Sequence, residues 1–319
     1  MNIEDIEVEK PLKIVFMGTP KFSVPILDVL IDNYGVKAVV TQTDKRVGRK
    51  GDIVFPPVKE EALKHNILVI QLEKLKESYQ EIIDLDPDLI VTCAYGQILP
   101  KELLDYPRLG CINVHASLLP KLRGGAPIHR AIINGEKKTG ITIMYMAPGM
   151  DDGDIIATEA IDITDTDTAS TLHDKLSVLG SKLLLQTLPS IIDGTNERTP
   201  QNPDEVTFAP IIKKEDEKLD FNKTSIQIYN QIRGLNSFPG AYFILNGKRF
   251  KVFESVIVDE YSSLNVNGEI VKTDDMGIYV KTSNGVIVLT VIQPEGKSRM
   301  RSKDYLNGIK DSLVGNVVE

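Results

Sequence analysis

Hydrophobic and polar positions change rhythm once along this chain. Through the first two thirds, short apolar runs alternate with segments whose apolar residues recur at helical spacing. Residues 12–17 and 88–93 read as buried strands, 36–40 and 67–70 as further strands, and 111–115 as a short apolar, buried-looking one. Helical patterns follow the Gly18-Thr19-Pro20 turn and recur over 56–65 and 75–83. Strands alternating with helices predict a mostly parallel sheet covered on both faces. Further on, 128–133 reads as helix, 140–146 and 155–163 as strands, and 170–192 as a long helix with Ser and Thr before it. Residues 194–210 are rich in Asn, Pro, Thr and Asp and read as a linker. Beyond residue 216 one helix (225–234) precedes five short strand runs, separated by turn signals such as Asn246-Gly247 and Asn284-Gly285. The expected fold class is α/β: a Rossmann-like, mostly parallel domain (1–196), a linker (197–215) and a small OB-like β-barrel (216–319).

The stretch that interrupts the first rhythm lies at its centre. Cys111-Ile112-Asn113-Val114-His115 alternates, placing Asn113 and His115 on one face and Ile112 and Val114 on the other. The turn Ser117-Leu118-Leu119-Pro120 and the loop Arg123-Gly124-Gly125-Ala126-Pro127 cannot extend the strand. A polar pair thus stands at the carboxyl end of a buried strand, where open α/β sheets bind ligands. Either residue alone reads best as a core histidine or a turn asparagine; together they read as a site. Downstream, Pro148-Gly149-Met150-Asp151-Asp152-Gly153-Asp154 is a tight acidic loop.

These residue types can run acyl transfer to an amine. An amide or imidazolium donor stabilises the oxyanion formed on attack, and the attacking amine needs a base poised near neutral pH. A carboxylate can fix the imidazole tautomer. Asn113, His115 and Asp151 can fill these roles if the acidic loop folds over the strand end. Asp152 and Asp154 compete with Asp151, and His129 is a second choice of histidine. A divalent cation could also suit the acidic loop, but four histidines and no thiolate pair argue against a metal site.

Composition narrows the reading further. The 319 residues are 42% hydrophobic and 26% charged, with 37 Lys+Arg against 45 Asp+Glu. Residues 216–319 carry 13 basic and 13 acidic side chains, so the acidic excess belongs to the first part. The two cysteines, Cys93 and Cys111, lie in apolar runs and read as packing residues in a reducing compartment. The acidic start lacks the apolar run of a signal peptide, and no apolar stretch is long enough to span a membrane, so a cytoplasmic protein is expected. The G-x-G-x-x-G fingerprint of NAD enzymes is missing, and Ser117 has no nucleophile elbow around it.

The Asn113-Val114-His115 strand end, Ser117 to Pro120, Arg123 to Pro127 and Asp151 together resemble the signature of the folate-dependent formyltransferases. Met17 to Phe22, Ala94 to Pro100, Thr139 to Met144 and Gln293 to Lys297 resemble that family too, so the likeness covers nearly the whole chain. It is tightest to the branch that acts on tRNA. The resemblance implies transfer of a formyl group from 10-formyltetrahydrofolate to the amino group of initiator methionyl-tRNA; a monomer without a metal is expected. By the same likeness Asn113, His115 and Asp151 are catalytic, and Ser117, Leu118, Leu119 and Pro120 line the folate site. The family's tRNA-entering loop corresponds to 43–53, with Lys45, Arg46, Arg49 and Lys50. Lys45 stands where arginine is common and keeps the charge without the planar fork. Beyond the linker, Lys248, Arg249, Lys251, Lys297, Arg299, Arg301 and Lys303 are expected to meet tRNA phosphates. Formyltransferases acting on sugar nucleotides or purine precursors share the Asn–His–Asp core. A further alternative is an RNA-binding barrel on an idle α/β scaffold.

Overall fold

The apolar run Ile14–Gly18 (β1) is wholly buried, which requires cover on both faces, and it is an interior strand, third of seven, in its sheet. A computed structural model describes residues 11–47, 51–258 and 266–319. The following strands are Ala38–Thr41 (β2), Lys45–Val47 (β3), Asp52–Val54 (β4), Leu68–Gln71 (β5), Leu89–Cys93 (β6), Cys111–His115 (β7), Lys138–Tyr145 (β8) and Ile155–Asp162 (β9). The sheet order is β5-β2-β1-β6-β7-β8-β9. Pairing is parallel from β5 to β7 and antiparallel between β7 and β8. Strand order reverses at β1, so the crevice beyond the carboxyl ends of β1 and β6 is the topological switch point of this Rossmann-like sheet.

Gly18 ends β1 because nothing larger fits: a Cβ there would stand 2.8 Å from the Phe16 ring and 2.9 Å from Cys93 O. Ser23 then donates to Cys93 O at 2.7 Å, tying the start of the helix Val24–Asn33 to the end of β6. The sequence pattern over 75–83 predicts one helix; the chain forms two short ones, Leu75–Ser78 and Gln80–Ile83, meeting at Tyr79. The loop expected at 43–53 carries a two-stranded hairpin, β3 paired with β4. Its strands have three residues each, too short for a period-2 pattern to register.

The described chain forms two compact units. One comprises residues 11–123, 140–159 and 176–207; the other comprises 124–139, 160–175 and 208–319. In the second, Ala241–Leu245 (β10), Lys248–Val258 (β11), Ile270–Thr273 (β12), Ile278–Lys281 (β13), Val286–Pro294 (β14) and Met300–Arg301 (β15) form an antiparallel sheet. Its order is β10-β11-β14-β13-β12, with β15 on β14. Residues 315–319 fill the gap between the edge strands: Ile270 N donates to Asn316 O, and Ile244 and Glu319 exchange both backbone bonds. An OB-like barrel results, with Phe243, Phe250 and Phe221 in its core. Phe238 is 80% exposed. The helix Ser225–Gly234 packs on this unit and opens with a capping box between Thr224 and Gln227.

Candidate active site

The strand register builds the first half of the site. Thr92 of β6 lies opposite Asn113 of β7, and its hydroxyl donates to Asn113 Oδ1 at 2.9 Å. With that oxygen occupied, the two Nδ2 hydrogens of Asn113 are oriented to donate away from the strand pair. His115 lies opposite Thr142 of β8. Thr142 Oγ1 donates to Ser117 O at 2.7 Å and accepts from Leu119 N at 3.1 Å, which folds the chain sharply after His115.

The returning turn fixes the histidine. His115 is 6% exposed, and its Nε2 lies 3.1 Å from Leu122 O. A carbonyl oxygen can only accept, so Nε2 carries the proton in this contact. Nδ1 faces the acidic loop, where Asp151 Oδ2 is 3.6 Å away. The expectation that a carboxylate fixes the tautomer is thus met differently, because a backbone carbonyl does so. Among the three acids of the loop, Asp151 reaches His115, Asp152 is exposed, and Asp154 pairs with Arg198 at 3.0 Å. Asp151 and Leu122 have φ of 48° and 58°, a region that non-glycine residues enter only when their surroundings hold them. Gly153 is required by close approach: a Cβ would stand 1.9 Å from Tyr145 O.

The remaining candidates fall in several places. Ser117 is fully buried and donates to Lys121 O at 2.6 Å, and Leu119 is also buried, whereas Leu118 and Pro120 are half-buried. Beside the switch point, Thr19 and Gln42 both donate to Tyr95 O, at 3.2 and 3.0 Å. His129 belongs to the second unit, where its Nδ1 donates to Gly234 O at 2.7 Å; burial keeps its pKa below the ordinary value. Lys45 and Arg46 stand exposed on β3, while Arg49 and Lys50 lie outside the described residues.

On the barrel, the register Phe250↔Pro294 brings the start of β11, Lys248-Arg249, beside Glu295. Arg249 stacks on Tyr242 and its N–H donates to Glu295, while Lys251 donates to Pro239 O. Arg299 lies over the Phe253 ring and pairs with Glu254 at 3.1 Å; Lys303 pairs with Asp275 at 2.7 Å; Arg301 is exposed on β15. Several of these cations therefore already have an anionic or aromatic neighbour.

Sequence reasoning assigned no role to Thr92, Thr142, Thr207 or Gln201, all of which hold the site. Thr207 Oγ1 accepts from Leu122 N at 2.9 Å, and Gln201 bonds the acidic loop. Thr92 and Thr142 were open to discovery as polar interruptions in buried strands. Thr207 and Gln201 lie in a stretch with no periodicity, and nothing local marks them.

A half-buried Asn and a buried His at one strand end, the His meeting an Asp from a neighbouring loop, on a Rossmann-like sheet followed by an OB-like barrel, agree with one family. The family model described as Formyl transferase matches residues 12–188, that described as Formyl transferase, C-terminal domain, matches 211–310, and the chain belongs to this family. Among curated relatives, the Methionyl-tRNA formyltransferase of Bacillus subtilis is 53% identical over 300 residues, covering 93% of this chain and 94% of the relative. The Methionyl-tRNA formyltransferase of Macrococcus caseolyticus is 50% identical over 305 residues, covering 95% and 97%. In fold the chain is similar to the N-formyltransferase of Helicobacter canadensis, solved with folinic acid and dTDP-3-aminofucose. That likeness has a TM-score of 0.67 at 23% identity, covering 87% of this chain and 98% of the other.

Proposed function

We propose that this protein transfers the formyl group of 10-formyltetrahydrofolate to the α-amino group of methionine on initiator methionyl-tRNA. The observation that carries the chemistry is His115 Nδ1 lying 3.6 Å from Asp151 Oδ2, with Asn113 two residues before His115 on the same face of β7. Half-identical relatives, Methionyl-tRNA formyltransferases matched over 94% and 97% of their length, support the acceptor. The folate supplies a formyl carbon already activated for attack by an amine. Asn113 Nδ2 donates to the formyl oxygen as that oxygen takes on negative charge. The His115–Asp151 pair accepts the proton leaving the attacking amine. It returns that proton to the folate nitrogen as the bond from formyl carbon to that nitrogen breaks, so charge and atoms balance. With Nε2 committed to Leu122 O, the exchange takes place at the Nδ1 and Oδ2 side. Leu118 and Pro120 offer the half-exposed part of the turn to the folate, and buried Ser117 and Leu119 shape it from beneath.

The basic residues Lys45, Arg46, Arg49 and Lys50 of the first part, and Lys248, Arg249, Lys297, Arg299, Arg301 and Lys303 of the barrel, take tRNA phosphates. The described residues include no helix long and apolar enough to cross a membrane, and a translation substrate supports work in the cytoplasm. The site is tested by His115→Gln and Asp151→Asn in formyl transfer to methionyl-tRNA. Glutamine can still donate toward Leu122 O but cannot shuttle a proton, so turnover should fall on the order of 100-fold or more in both variants. Near-normal turnover in either would contradict the assignment.

A further inference from the structure

We propose that Gln201 is a positioning residue for the His115–Asp151 pair, closing a ring of contacts that fixes both partners together. Its Nε2 donates to Asp151 O at 2.8 Å and Gly153 O at 2.9 Å. Its Oε1 accepts from Arg123 Nε at 3.0 Å and Arg123 Nη2 at 2.7 Å. Arg123 is covalently next to Leu122, whose carbonyl accepts from His115 Nε2, and Asp151 Oδ2 faces His115 Nδ1. The ring therefore runs from His115 through Leu122, Arg123, Gln201 and Asp151 back to His115. The two backbone positions that lean on it, Leu122 and Asp151, are those with positive φ, a conformation that persists only when the surroundings impose it. The chemistry of the bridge is specific. Arg123 has only donors to offer, while Asp151 and Gly153 present only carbonyl acceptors, so the bridge must accept at one end and donate twice at the other. A primary amide does both. A glutamate would satisfy Arg123 more strongly, yet would turn a carboxylate oxygen toward two carbonyl oxygens.

The inference rests on the reading of His115 and Asp151 given above, and the experiment separates the two. Formyl transfer from 10-formyltetrahydrofolate to methionyl-tRNA is measured with the full chain carrying Gln201→Ala or Gln201→Glu, each alone and combined with Asp151→Asn. Thermal melting of every variant checks folding. Because small misplacements of reacting groups cost about 10- to 100-fold in rate, kcat should fall by that factor in both single variants. KM for both substrates should stay within about twofold, since Gln201 acts on a step made in the transition state. On the Asp151→Asn background the Gln201 changes should add less than about twofold, as expected for residues acting through one another. Wild-type kcat in Gln201→Glu would overturn the inference, because anchoring Arg123 would then be all that Gln201 does. Equal losses on both backgrounds would overturn it too, leaving the site reading intact. A fully active Asp151→Asn would overturn both. Should Gln201→Ala fail to fold, Gln201→Glu decides alone, since it retains the link to Arg123.

Discussion

At His115 one ring nitrogen is committed to the protein's own backbone and the other is left against a carboxylate. This division matters because a base that must accept and return a proton works best when its second nitrogen cannot wander between tautomers. The same economy appears at Asn113, whose oxygen is occupied by Thr92 so that its amide hydrogens face outward. The two cysteines show the opposite use of burial. Cys93 and Cys111 are fully enclosed, and burial pushes both thiols up to about 12. The thiolate is the reactive species, so neither should be alkylated by iodoacetamide in the folded protein at pH 8, and both should react in urea. Labelling of either thiol without unfolding would contradict their placement in the core. Asn113 and His115 were legible in the sequence because strand alternation puts both on one face at a strand end, and both cysteines because they lie in apolar runs. Which nitrogen of His115 is free was not legible, since it depends on Leu122 O arriving through a left-handed turn.

Elements here are held by a few polar staples as much as by apolar faces. Asp167, just before the helix Ala169–Ile192, accepts from Thr164 N at 2.9 Å, Thr171 Oγ1 at 2.9 Å and Lys175 Nζ at 2.8 Å. Burial alone would raise its pKa, but the bonds from Lys175, Thr164 and Thr171 outweigh burial and hold the carboxyl at about 2. A carboxylate depressed from 3.8 stabilises the folded state above its unfolded pKa, and that contribution is lost as pH falls through the folded value. Asp167→Asn should therefore cost on the order of 2 kcal/mol at pH 7. Its cost should shrink between about pH 4 and pH 2, as read from urea unfolding at each pH. A penalty that stays constant down to pH 2 would rule out this origin. The parallel strands and the long helix could be read from periodicity because each buries a whole face. The split helix at Tyr79 and the short hairpin β3–β4 could not, since a four-residue helix or a three-residue strand is set by tertiary contacts. The acidic loop was visible as a turn; that Asp151 alone meets His115 follows from backbone angles that composition does not encode.

For the molecule as a whole, the question is how a protein of formal charge −8 holds a polyanion. The answer proposed here is local: the cations Lys248, Arg249 and Lys297 to Lys303 of the barrel, and Lys45 and Arg46 on β3. Arg299 starts out paired with Glu254, so part of its gain on meeting a phosphate is offset by the bond it leaves. Changing Arg299 and Arg301 to glutamate should raise KM for tRNA, leave KM for the folate unchanged, and flatten the salt dependence of tRNA binding by roughly one unit of slope per lost contact. An unchanged slope would give these charges another role. The full chain is the right object for such work, because a cut near residue 200 removes Gln201 and Thr207, the partners of Arg123 and Leu122. The central claim concerns the acceptor, and it is tested most directly by offering two amines to the intact protein at once. With formyl-labelled 10-formyltetrahydrofolate, methionyl-tRNA and dTDP-3-aminofucose present together, label is expected in formylmethionine released from the tRNA, and not in the sugar nucleotide. Label accumulating in the sugar nucleotide while the tRNA stays unmodified would contradict the account.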